Sequence, residues 1–202
     1  MNRRRIICAL CGLTTPYASC LSSQPSRSGE TSTPPSPSEC QDSVSPPLTD
    51  VHVPRSKKRE IDAGPIGGFA LSLSPDPVPV GGDLTVRIYN ETDAQQVSGK
   101  KRKFLIERQT EAGWQSIYDR PENEGWTDEA IPHASDEGFT WTFTMTPSGL
   151  SAPDGTPSYY VCERVDPGKY RFVYWGVTTI EERTSNWKIE QALGTQFKMT
   201  ES

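Results

Sequence analysis

The sequence predicts an all-β domain, a sandwich of two antiparallel sheets with about seven strands, on three observations. Phe69-Ala-Leu71-Ser-Leu73, Leu84-Thr-Val86-Arg-Ile88 and Phe139-Thr-Trp141-Thr-Phe143-Thr-Met145 alternate apolar and polar residues at period two. Gly, Pro and Asn signals divide the chain between these runs at short intervals. No segment carries the 3.6-residue apolar stripe of an amphipathic helix.

The elements follow in order. Residues 69–73 form the first strand, and Pro75, Pro77 and Pro79 then lead to a Gly81-Gly82 turn. Residues 84–88 are the second strand, closed by the polar loop Asn90-Glu91-Thr92-Asp93. Residues 103–109 form a third strand with Phe104 and Ile106 on one face, and Ala112-Gly113 turns it back into residues 114–118. A polar loop spans 119–138. In residues 139–145 one face is large and apolar and the other is all threonine, so one side meets a core and the other water. Residues 160–162, 170–175 and 193–199 supply further strands. The loop 176–186 is longer than a simple hairpin needs.

The hydrophobic fraction of this 202-residue chain is 33%, and the deficit is concentrated in the first third. The formal net charge of −5 lacks the clustered basic face of a nucleic-acid binder, so nucleic acid is excluded as an expected partner. No run of about 20 apolar residues is present, so no transmembrane helix is expected.

Residues 1–20 read as an export signal: Arg3-Arg4-Arg5, a weakly apolar stretch to Tyr17, then Ala18-Ser19-Cys20. Arg3-Arg4 followed by Ile6-Ile7 resembles a twin-arginine signal, and Ala18-Ser19-Cys20 resembles a lipobox, which makes Cys20 the candidate lipidation site. Such an anchor would place the protein outside the cytoplasm on a membrane, or in secreted form without the lipid. Cys8-Ala9-Leu10-Cys11 has a metal-like spacing but lies inside the signal and reads as incidental. Residues 21–62 read as a disordered stalk: positions 21–58 hold 10 Ser, 7 Pro and 3 Thr, a composition that cannot bury a core. Residues 63–202 are then the folded domain.

Asp166-Pro167-Gly168-Lys169-Tyr170-Arg171-Phe172 resembles a corner of bacterial and archaeal immunoglobulin-like domains. Tyr89-Asn90 at a strand end, Glu107 before Gly113-Trp114, and 139–145 before Leu150 extend the likeness over about 68–200. The resemblance implies an immunoglobulin-like antiparallel β-sandwich of a surface lipoprotein, of a kind whose biochemical role is unassigned. It gives Tyr170 a structural role, its hydroxyl bonding back to the preceding loop.

Candidate sites are few. The two histidines, His52 and His133, have no evident nucleophile constellation, so no catalytic residue, metal or cofactor is expected and the protein is read as a non-enzyme. The carboxylates of 119–138 are too scattered for a calcium cage and are expected to be solvated. Cys40 and Cys162 are a candidate disulfide, worth about 4–5 kcal/mol by loop entropy. Asn90-Glu91-Thr92 is a glycosylation sequon in an expected surface loop. Trp126 and Trp187, in polar loops, are candidate contacts for a surface protein or glycan ligand. The expected function is a lipid-anchored binding or structural module. The alternative is a proteinase inhibitor acting through loop 119–138 or 176–187.

Overall fold

The structure, a computed structural model, describes residues 47–52, 60–62, 64–177 and 191–202. These residues are almost entirely β. The strands are β1 (Leu48–Asp50), β2 (Glu60–Asp62), β3 (Phe69–Ser74), β4 (Val78–Pro79), β5 (Asp83–Asn90), β6 (Gln96–Ser98), β7 (Phe104–Thr110), β8 (Gly113–Ser116), β9 (Asp119–Pro121), β10 (Ile131–His133), β11 (Gly138–Thr144), β12 (Gly168–Tyr174) and β13 (Gln191–Thr200). One four-residue helix, α1 (Pro147–Leu150), is capped by the Thr146 hydroxyl, which accepts from the Gly149 N–H at 3.0 Å.

One sheet has the order β11-β5-β3, fully antiparallel. The larger sheet runs β2-β13-β12-β7-β8, with β4 also beside β13. Its β13, β12, β7 and β8 pair antiparallel, whereas β2 and β4 lie parallel to β13 at its two ends. The alternating residues of the sequence set the inner faces. Phe104 of β7 stacks on Phe172 of β12 with ring centroids 5.5 Å apart, and from the facing sheet Phe143 and Trp141 approach it to 5.5 and 5.6 Å. Aromatic pairs of this kind add about 0.5–1.5 kcal/mol beyond the area they bury. Leu84, Val86, Ile88, Ile106, Tyr170 and Tyr174 complete the interior.

Three expectations change here. The folded domain does not start at 63: β1 and β2 lie in the segment read as stalk, β1 pairs with β9, and Val51 beside it is fully buried with its N–H on the Tyr118 carbonyl at 2.8 Å. Three-residue strands rich in polar residues carry no periodic signal, so only the partner strand reveals them. Residues 160–162 do not form a strand: Tyr160 makes an isolated bridge to Asp119, its neighbour Tyr159 one to Ala152, and Val161 and Cys162 make none. The loop 119–138 contains β9 and β10, and β10 pairs with β6.

Candidate functional site

A cleft of about 330 Å³ opens where the two sheets part at β11. Phe104, Trp141 and Phe143 form its apolar floor. Thr140 and Thr142 line one side, and Lys101 and Arg102 with the 149–152 segment line the other. The cationic wall comes from the run Lys100-Lys101-Arg102-Lys103 just before β7. Lys100 pairs with Glu129 at 2.9 Å and Lys103 with Asp128 at 2.7 Å. Arg102 grips the next loop through the Ala152 and Asp154 carbonyls, at 3.0 and 3.3 Å, and lies over the Tyr159 ring. Lys101 is exposed, sits 5.6 Å over the Trp141 ring, and has no ion-pair partner among the described residues. Partial burial, and then the charge of Arg102, lower its pKa from the usual lysine value. The buried Trp141 indole N–H has no hydrogen-bond partner among the described residues, a feature shared only with the Tyr118 hydroxyl.

The fold also brings Ser98 and His133 together, Oγ to Nε2 at 2.8 Å. This is a buried latch rather than a nucleophilic pair. Ser98 is 1% exposed and its hydroxyl reaches the Gly99 carbonyl at 3.1 Å, so no substrate carbonyl fits against it. The His133 ring is wedged edge-on between Phe69 and Phe139, with centroids at 5.5 and 4.9 Å. Burial lowers its pKa from the usual histidine value against the opposing pull of Glu137. An open hollow of about 500 Å³ beside it is lined by Arg87 and Asp136, which pair with each other at 2.8 Å.

Most carboxylates of 119–138 are exposed to solvent, as expected, and several of them also hold partners. Besides the Lys100 and Lys103 pairs, Glu124 accepts from the Ser158 N–H at 2.5 Å, and Glu137 accepts from the Ala134 N–H at 2.8 Å. Asp119 lies opposite Asp50 across the β1–β9 pair, and its pKa is raised to about 6, by burial first and then by hydrogen bonding to Asp50 and the charges of Asp50 and Glu163. Among the described residues no group of three or more His, Cys, Asp or Glu side chains converges to hold a metal ion.

The sites read from the sequence separate. Asn90 is not a surface acceptor: it is fully buried at the end of β5, its amide donating to the Ala94, His133 and Ala134 carbonyls. The Tyr170 hydroxyl donates to the Asp166 carbonyl at 2.6 Å. Trp126 is half-buried, its indole N–H on the Arg102 carbonyl at 2.8 Å and its ring edge-on to Trp175. Cys162 is buried and disulfide-bonded. Cys20, Cys40 and Trp187 lie outside the described residues. Lys101, Arg102 and the Trp141 side of β11 form a site that the sequence expectations above do not include. The signal was present as four consecutive basic residues in an acidic chain, directly preceding an apolar strand.

No family model and no curated protein matches the chain. Solved structures similar to it include a β-glucosidase from Listeria innocua in complex with isofagomine, at 16% identity and a TM-score of 0.29 over 65% of this chain. The gluconolactone complex of a Listeria innocua β-glucosidase matches at 19% identity and a TM-score of 0.30. The β-glucosidase EmGH1 from Erythrobacter marinus matches at 13% identity and a TM-score of 0.32 over 66% of this chain. The chain spans 16%, 16% and 15% of those three chains.

Proposed function

We propose that the protein is an exported, lipid-anchored, immunoglobulin-like module that binds a partner at the outer face of a membrane without catalysing a reaction. The cleft beside β11 carries this reading: an aromatic floor and a lysine with no ion-pair partner among the described residues meet in one concavity, as binding sites do. The strand orders β11-β5-β3 and β13-β12-β7-β8 support the immunoglobulin-like assignment, since they follow the A-B-E and C-F-G pairings of that fold with one strand added beside C. The Tyr170 bond to Asp166, at the start of the strand in the F position, supports it too.

Export rests on residues 1–20, and the anchor on Cys20. Mass spectrometry of the mature N-terminus tests both. The expected result is a lipid-modified peptide beginning at Cys20. An intact Met1 in the native protein would remove the surface reading.

A further inference from the structure

The edge of β11 that borders the cleft is an open pairing surface. Two hydrogen bonds at the ends of the β5–β11 ladder fix its phase. The Asn90 N–H donates to the Glu137 carbonyl at 2.8 Å, and the Met145 N–H donates to the Gly82 carbonyl at 2.8 Å. Within the register that joins them, hydrogen-bonded pairs alternate with non-bonded ones, so Phe139, Trp141 and Phe143 turn their backbone groups toward β5. Thr140 and Thr142 therefore turn their N–H and C=O groups away from it. In the order β11-β5-β3 this is the terminal edge, and no described strand pairs with it. The sequence Gly-Phe-Thr-Trp-Thr-Phe-Thr contains no proline and no charge, the residues that ordinarily blunt an exposed edge.

We propose that the cleft receives an extended acidic polypeptide segment that adds as a strand to the edge of β11, pairing its backbone with Thr140 and Thr142 and setting a carboxylate against Lys101. The proposal rests on the binding-module reading above and names the partner of the same site. Two outward-facing residues span about 7 Å of strand and offer two donors and two acceptors. Charge selects the occupant. Of the four consecutive cations at 100–103, Lys100 and Lys103 are neutralised by carboxylates and Arg102 is held by carbonyls, while Lys101 stands over Trp141 at the mouth. The chain as a whole carries −5, so this positive spot does not simply follow the general surface charge.

The test uses the full chain and a labelled eight-residue peptide alternating Glu and Val, followed by fluorescence anisotropy. Its Lys/Val counterpart and a form N-methylated on alternate backbone amides are the controls. The acidic peptide is expected to bind, and more weakly as salt rises. N-methylation should weaken it by about tenfold or more through lost edge hydrogen bonds. Lys101→Glu should cost about tenfold through reversed charge at an exposed site. Thr142→Pro should abolish binding while preserving the ladder to β5, because the Thr142 N–H faces outward. Equal binding of the Lys/Val peptide, indifference to N-methylation, or no binding at millimolar peptide would overturn the proposal whether or not the proline variant folds. A lipidated N-terminus at Cys20 without peptide binding removes the edge-strand inference alone. Peptide binding by a protein that keeps Met1 removes the surface reading alone.

Discussion

Asn90 offers the sharpest check on how the loops of this domain are held. Its amide donates to the Ala94, His133 and Ala134 carbonyls at 2.7, 3.2 and 3.1 Å, and its Oδ1 accepts from the Thr92 N–H and hydroxyl at 3.0 and 2.8 Å. Replacing it with alanine does not orphan all three carbonyls. Ala94 still receives the Thr92 hydroxyl at 3.0 Å, and Ala134 still receives the Glu137 N–H at 3.1 Å. The His133 carbonyl loses its donor in a buried place, at about 1–3 kcal/mol, and the lost turn bond to Thr92 adds about 1 kcal/mol. Asn90→Ala should therefore lose about 2–4 kcal/mol, read as a lowered urea midpoint at unchanged m-value. Asn90→Asp should be pH-dependent. Three carbonyls facing the group disfavour the carboxylate, so its folded pKa rises above the unfolded value of about 3.9. Its stability is then greatest below that value and is lost as pH rises through the folded pKa. A loss below about 0.5 kcal/mol for the alanine variant, or a glycan on Asn90 of the folded protein, would contradict the buried role of this side chain.

Three further outcomes follow from the same contacts. Arg171 donates to Glu107 while lying over the Trp114 ring, and the two charged side chains are 19% and 11% exposed; Glu107→Ala should cost about 3 kcal/mol, but Glu107→Leu with Arg171→Met should be nearly neutral in urea unfolding. Equal losses from the single and the paired replacement would contradict this. A Cβ at Gly138 would overlap the Ile88 carbonyl across the ladder, so Gly138→Ala should lose about 3 kcal/mol or more, and a wild-type thermal midpoint would show that the β5–β11 spacing is wrong. Asp119, raised to about 6, contributes stability that is complete below the unfolded value of 3.8 and is lost as pH rises through 6. Asp119→Asn should thus raise the unfolding midpoint at pH 7.5 and leave it unchanged at pH 4. The lowered pKa of His133 acts oppositely, its contribution complete above 6.5 and lost as pH falls, so the Asp119→Asn protein should gain stability with rising pH across this range.

The long strands were legible because their information is local. In β3, β5 and β11 each residue's face follows from its neighbours two positions away, and no distant partner is needed to read it. The short strands were not: Leu-Thr-Asp, Glu-Ile-Asp, Asp-Arg-Pro and Ile-Pro-His carry no alternation, and their extended state is supplied by a partner far along the chain. The partners of the acidic loop were hidden for the same reason. Asp128 and Asp136 are exposed, as their neighbourhood suggests, but their partners Lys103 and Arg87 stand 25 and 49 residues away. Asn90 looked exposed in its polar neighbourhood, and the His133 carbonyl that helps bury it is 43 residues distant.

The same locality separates what can and cannot be learned at the cleft. Its floor is also the core: Trp141 lies 5.0 Å from Phe172 and 5.6 Å from Phe104, ring to ring. Trp141→Ala would cost about 3–5 kcal/mol of packing, so a binding defect in that variant could not be distinguished from a loosened sandwich. Lys101 and the outward backbone groups of Thr140 and Thr142 differ in kind. None of them contributes to the ladder with β5, and Lys101 closes no ion pair among the described residues. Changes there leave the forces that hold the two sheets together in place, and for that reason an altered affinity at these positions reports on recognition rather than on folding.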